Sequence, residues 1–145
     1  MKKYELTDET IEVYGTALHR IKALKDFGNV KKGELGGYVE SERNLSQEGN
    51  CWVCGNAKVC GDAEVCGNAR VYGDADYITI KGLGSKYRNT TIFRTKENIA
   101  VKCGCFYGTL AEFVDKVKET HGNSKFTKEY LALIDLVKIH FELEE

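Results

Sequence analysis

The chain has 145 residues, with 21 Lys or Arg against 22 Asp or Glu, a formal net charge of −1 and no proline. This length suits one compact domain or two small modules. The charge balance leaves no electrostatic footprint for duplex DNA or an anionic membrane, and no apolar run reaches the about 18 residues of a membrane span. The start, Met1-Lys2-Lys3-Tyr4-Glu5, turns polar at once and lacks the apolar region of a signal peptide, so the cytoplasm is the expected compartment.

Residues 1–38 read as strands. Ile11-Glu12-Val13-Tyr14 alternates, Gly15-Thr16 turns, and Leu18 to Leu24 forms a second strand of mixed pattern. Phe27-Gly28 and Lys32-Gly33 punctuate, and Gly36-Gly37 leads onward.

A six-residue unit then runs without a break from Val53 to Asp76, its copies starting at Val53, Val59, Val65 and Val71. A fixed short period dictates architecture before local propensity does. Each Ala lies two residues before the next Val, and side chains two apart in an extended chain share a face. Gly followed by Asn or Asp supplies a corner that tolerates positive φ. The unit is a short strand plus a corner, and its repetition predicts a parallel β-helix. Val53, Val59, Val65, Val71, Ala57, Ala63 and Ala69 fill its interior. The pattern fades outward: Val39 and Leu45 begin it, Cys51 takes a small inward slot, Tyr77 takes a Val position, and Ile78-Thr79-Ile80 loses the corner. The repeat therefore spans 39–80. An open first coil needs covering, so residues 1–38 are assigned as an N-terminal β cap.

Residues 81–145 are not repetitive. Thr90 to Thr95 and Ile99 to Cys105 read as two strands around Lys96-Glu97-Asn98, a hairpin with Ile99, Val101, Cys103 and Cys105 on one face. Thr109-Leu110-Ala111-Glu112 is a capping box. Leu110, Phe113, Val114 and Val117 follow as a helical stripe, and His121-Gly122 ends it. Ser124 or Thr127 starts a second helix whose apolar face includes Tyr130, Leu131, Ile134, Val137, Ile139 and Phe141. The predicted module is ββαα.

Six cysteines are present. Cys54, Cys60 and Cys66 follow the Val of consecutive units and face different ways, a poor placement for mutual disulfides. Cys51-x-x-Cys54 has the spacing of half a zinc site, but one side chain points in and the other out. Reduced thiols and no metal are expected. Cys103-x-Cys105 has two readings, small buried hydrophobes or a redox or metal pair.

The Gly-Asx-Ala-x-Val repeat resembles the hexapeptide family of left-handed β-helices, in which three units make one triangular coil. The resemblance implies that Lys58 stacks over Asp76, Asn56 over Asp74 and Cys54 over Tyr72. The fold class it implies is mainly β: a short left-handed parallel β-helix with an N-terminal β cap and a C-terminal ββαα module. The stretch from Tyr4 to Leu45, with Arg20-Ile21-Lys22-Ala23-Leu24 and Leu35-Gly36-Gly37-Tyr38-Val39-Glu40-Ser41, followed by the repeats, is similar to bacteriophage and prophage hexapeptide-repeat proteins of unassigned function. The tail Cys103-Gly104-Cys105-Phe106-Tyr107-Gly108-Thr109-Leu110 through Lys118-Glu119-Thr120-His121-Gly122 is similar to a small phage module. These resemblances imply a bacterial host cytoplasm and a homo-oligomer, a trimer first and a dimer next. Tyr72, Trp52, Cys54 and the outer helix faces are its candidate contacts.

An acyltransferase of the hexapeptide type needs a His as general base. The only histidines are His19, His121 and His140, and none lies between residues 38 and 103. His121 caps a helix end, His140 lies on the last helix and His19 in the cap. There is no P-loop, Gly-x-Gly-x-x-Gly or Ser-His-Asp arrangement, and Gly82-x-Gly84 reads as a linker. No catalytic residue, cofactor or metal ligand is assigned, and a non-enzymatic protein is expected. Arg88, Arg94, Lys96 and Lys102 gather around the hairpin, interleaved with Tyr87, Phe93, Phe106 and Tyr107. Such residues suit phosphates and bases, or form a solvated strand face. The candidate ligand or partner residues are Arg88, Arg94, Lys102, Tyr107, His121 and Asn123. The expected function is a phage-derived oligomeric binding protein acting against host defence, either by sequestering an anionic nucleotide signal or by docking on a host immune protein. A hexapeptide-type acyltransferase and a structural phage component are the alternatives.

Overall fold

In the computed structural model, which describes residues 1–143, the N-terminal alternation forms a long antiparallel hairpin of β1 (Tyr4–Val13) and β2 (Thr16–Ala23). β3 (Leu35–Val39) adds antiparallel to β2. Within the repeat the strands shrink to two residues each: β4 (Trp52–Val53), β5 (Lys58–Val59) and β6 (Arg70–Val71). β3 pairs in parallel with β5, β4 with β6, and an isolated parallel bridge joins Leu45 to Val65.

These pairings overturn the expected β-helix. The segment forms a four-stranded mixed sheet, order β1-β2-β3-β5, and a two-stranded sheet, β4-β6, rather than a stack of coils. The physical reason lies at both ends of the repeat. β2 takes one edge of β3 as an antiparallel partner. After Val71, Gly73 stays extended at φ −153°, a 3₁₀ turn covers Asp74–Asp76, and the chain leaves as β7 (Tyr77–Leu83). The stack of Lys58 over Asp76 is also replaced. Lys58 Nζ lies 4.0 Å from Asp74 and its amide donates to Asp74 Oδ1 at 2.9 Å, while Asp76 pairs with Arg94 at 3.2 Å.

The apolar repeat positions are buried nonetheless. Val53, Val59, Val65, Val71, Ala57, Ala63 and Ala69 join Tyr4, Ile21, Val39, Leu45 and Cys51 in one core. Each buried Val is worth about 1.5–3 kcal/mol in removed apolar surface. Trp52, expected at an outer contact, is instead 1% exposed. It packs edge-on between Tyr4 (ring centroids 6.2 Å apart) and Phe27 (5.2 Å), so the N-terminal residues bury it.

The C-terminal part differs from the expected hairpin. β7, β8 (Arg88–Arg94), β9 (Ile99–Cys103) and β10 (Phe106–Thr109) form a four-stranded antiparallel sheet, order β10-β9-β8-β7. The strand expected to reach Cys105 stops at Cys103, because Gly104 turns the chain at φ +59°. α1 (Leu110–His121) starts with the capping box: Thr109 Oγ1 accepts from the Glu112 amide at 3.2 Å, and Glu112 Oε1 accepts from the Thr109 amide at 2.9 Å. α2 (Lys125–His140) follows Gly122 and starts after Ser124. Successive side chains of a strand point to opposite faces. Phe93 and Ala100 therefore enter the first core, while Ile92 and Val101 enter a second core with Phe113, Val117, Tyr130, Leu133, Ile134 and Val137. The sheet is thus a shared wall, covered by the repeat on one face and by the two helices on the other.

No helix of the described residues is long and apolar enough to cross a membrane.

Candidate functional site

Along one edge of that wall, the turn before β8, the β9–β10 turn and the last turns of α1 enclose an open cleft of about 600 Å³. Its floor is aromatic. Phe106 packs on Phe113 at 5.4 Å, Phe113 meets Tyr130 edge-on at 5.3 Å, and His121 stacks on Tyr130 at 6.1 Å with an interplanar angle of 21°. The α1 stripe places these groups: Phe113, Val117 and His121 are four residues apart, on one helix face. Tyr130 comes from α2 and donates its hydroxyl to the Leu83 carbonyl oxygen at 3.2 Å. Burial, reinforced by the neighbouring Cys103, pushes its phenol up to about 12. Tyr130 is therefore a neutral wall at ordinary pH.

The rim is cationic. Lys86, Arg88 and Lys116 line the cleft and are exposed, and no carboxylate is among its described lining residues. Their surface salt bridges are few: Lys116 lies 3.8 Å from Glu119, an exposed pair worth little. Tyr107, 44% exposed, closes one side with its ring stacked on Phe93 at 6.3 Å. Burial raises its phenol pKa as well. Such a site can hold an anion at its rim and a flat ring at its floor.

Of the six candidate residues, the cleft brings together Arg88, Tyr107 and His121. Arg94 sits at the far end of β8, its Nε 3.2 Å from Asp76 Oδ1 and its guanidinium over the Phe141 ring at 5.1 Å. Lys102 donates to the Gly104 carbonyl oxygen. Asn123, exposed after Gly122, does not line the cleft. Sequence reasoning missed Lys86, Lys116, Phe113 and Tyr130. The signal for Phe113 was its place on the α1 stripe four residues before Val117; Lys116 resembles any solvated helix lysine.

Cys103 and Cys105 part company. Cys103 is half-buried beside the floor, where Thr90 Oγ1 donates to its sulfur at 3.3 Å, and Cys105 is exposed in the β9–β10 turn. All six cysteines are free, and among the described residues no three His, Cys, Asp or Glu side chains converge as metal ligands would. Burial raises the thiol pKa of Cys51, Cys54, Cys60 and Cys66, so these are poor nucleophiles.

No family model matches the chain. A stretch of 61 residues is 39% identical to the uncharacterized acetyltransferase YdcK of Escherichia coli (strain K12), covering 37% of this chain and 19% of that protein. The chain therefore spans about a fifth of the relative's length. This likeness to an acetyltransferase runs against the expectation of a non-enzymatic protein, which is withdrawn. A match over so short a stretch assigns no activity by itself.

Proposed function

We propose that the cleft between the β8–β10 edge and α1 binds a small molecule carrying both negative charge and a flat aromatic ring, a nucleotide being the simplest of this kind. The observation that carries this reading is the rim of Lys86, Arg88 and Lys116, with no carboxylate among the described lining residues, above the Phe106, Phe113, Tyr130 and His121 floor. A charge-assisted hydrogen bond to a phosphate is worth about 1.5–3 kcal/mol, and a base stacked on an aromatic ring about 1–3 kcal/mol. In the setting that the phage resemblance implies, such binding would withdraw a nucleotide signal from a host defence system. Isothermal titration with ADP and with cyclic di-AMP tests it. Arg88→Ala should weaken binding at least tenfold, and Arg94→Ala, at the other end of β8, should leave it unchanged. Absence of binding by both nucleotides, or equal losses in the two variants, would overturn the assignment.

The partial likeness to an acetyltransferase favours a second reading, in which the anionic ring-bearing ligand is an acyl-nucleotide thioester such as acetyl-CoA. His121 lies in the cleft, and an imidazole is a side chain suited to take a proton from an acceptor. Consumption of acetyl-CoA, followed through the thiol released and abolished by His121→Ala, would favour transfer over sequestration.

A further inference from the structure

A second cleft, also about 600 Å³, opens on the repeat side of Tyr107 and has the opposite chemistry. Four asparagines line it: Asn29 from the loop after β2, Asn50 and Asn68 from repeat corners, and Asn98 from the β8–β9 turn. Asn50 and Asn68 lie side by side, since the Asn50 amide donates to the Gly67 carbonyl oxygen at 3.2 Å. All four are exposed. Among the described residues, the carboxamides of Asn50 and Asn68 have no hydrogen-bond partner, whereas Asn98 Oδ1 accepts from Thr95 and Asn29 Oδ1 lies 3.4 Å from Arg70. Among the described lining residues the charges cancel: Arg70 and Lys96 against Glu97 and Glu112. Arg70 is held in place by its bond to the Asn50 carbonyl oxygen. Two tyrosines complete the walls, Tyr72 at 62% exposure and Tyr107 at 44%.

We infer that this cleft binds a neutral polyhydroxylated ligand, a mono- or disaccharide. The reasoning is chemical. A carboxamide offers a donor and an acceptor side by side, the complement of neighbouring hydroxyl groups that each donate and accept. A balanced set of charges gives no net attraction to an anion or a cation, unlike the cationic cleft across Tyr107. The exposed ring of Tyr72 gives the C–H face of a sugar ring a flat, electron-rich contact, and Tyr107, stacked on Phe93, walls the cleft beside it. The volume lies within the range of small-molecule sites. The inference does not depend on the nucleotide reading, because, apart from Tyr107, which walls both clefts, different side chains carry it.

The test uses the full chain and a panel of glucose, galactose, N-acetylglucosamine, maltose and lactose, with side-chain amide signals followed by nuclear magnetic resonance. At least one sugar should shift the Asn50 and Asn68 carboxamide signals saturably in the millimolar range. Asn68→Ala and, separately, Asn50→Ala should each weaken that binding about fivefold. Both sites are exposed, so the backbone amide spectrum of each variant should remain that of the folded protein. Arg88→Ala should leave sugar binding intact, and Asn68→Ala should leave ADP binding intact, so the two clefts fail or succeed separately. The inference is overturned if no sugar of the panel shifts these amides, if both asparagine variants bind like the parent, or if ADP shifts the same amides in place of the sugars.

Discussion

Lys3 Nζ lies 3.3 Å from Cys51 Sγ and 2.9 Å from the Cys51 carbonyl oxygen, with the Lys3 residue 1% and the Cys51 residue 0% exposed. The same nitrogen is 3.4 Å from the carbonyl oxygens of Glu48 and Gly49 and 4.9 Å from the centre of the Phe27 ring. A lysine this deep is tolerated because its donors meet acceptors of the chain itself. The contact fastens the first residues to the irregular corner before β4.

Replacing Lys3 therefore costs more than the loss of a surface charge. Lys3→Met keeps the aliphatic stem but leaves buried carbonyl oxygens without their donor, at about 1–3 kcal/mol. Lys2→Ala removes only the exposed pair with Glu42 and should cost less than about 1 kcal/mol. Urea unfolding of the two variants, read as midpoints at unchanged slope, checks this; equal midpoints would show that Lys3 contributes no more than Lys2.

Alkaline pH should destabilise the fold through its thiols. Burial pushes Cys66 up to about 11 from an ordinary 9.0, and raises Cys51, Cys54 and Cys60 in the same direction. The folded protein keeps these protons where the unfolded chain releases them. Their contribution is therefore full below pH 9 and is lost as pH rises from there towards about 11 for Cys66. Lys3, lowered by burial, works the other way, since its amine sheds a proton more readily in the fold. The phenols of Tyr4, Tyr77, Tyr107 and Tyr130, also raised by burial, act with the four thiols against the one amine, so the net slope is downward. Under reducing conditions Cys66→Ala should lessen the fall in stability between pH 9 and 11 relative to the parent. Identical slopes would contradict the assignment.

Asn44 joins two returns of the chain and is fully buried. Its Oδ1 accepts from the amides of Glu40 at 3.2 Å and Ser41 at 3.1 Å, and its Nδ2 donates to the carbonyl oxygens of Gly61 at 3.1 Å and Ala63 at 2.9 Å. All the groups of the carboxamide are thereby used. Asn44→Asp turns two donors into acceptors facing carbonyl oxygens and should cost about 3 kcal/mol or more at neutral pH. Burial raises the new carboxyl's pKa in the fold above its ordinary value, so the deficit relative to the parent should shrink as pH falls from neutrality towards about 4, where a protonated carboxyl donates again, and level off below that. A deficit below about 1 kcal/mol, or one independent of pH, would argue against this network.

Local features were legible in the sequence and long-range pairing was not. The Thr109–Glu112 capping box and the positive φ of Gly55, Gly61 and Gly67 follow from residues within a few positions of one another. The burial of Val and Ala follows from their period. The sheets do not, because Tyr77 fits the repeat as a Val substitute while its true partner is Phe93 across β7 and β8. Trp52 looked like an outer residue because Tyr4 and Phe27, which cover it, lie far away in sequence. In the cleft, Arg88 and Arg94 looked equivalent. They mark opposite ends of β8, about 20 Å apart at about 3.3 Å per residue, so only one can reach the aromatic floor.

Gly67 and Gly55 make a matched pair for a last expectation. Both are repeat corners at nearly equal positive φ, +62° and +59°. A Cβ at Gly55 would meet no atom within 4 Å, whereas one at Gly67 would land on the ring and hydroxyl of Tyr107. Gly55→Ala should thus cost only the left-handed backbone strain, about 1–2 kcal/mol. Gly67→Ala carries the same strain and also forces Tyr107 away from the corner, so it should cost clearly more. Tyr107 is the wall common to both clefts. Its displacement should also alter ADP and sugar binding together, which Gly55→Ala should leave unchanged. Thermal unfolding beside the two titrations decides the matter. Equal stabilities of the two variants, with binding intact in both, would mean that Tyr107 does not rest on the Gly67 corner in solution.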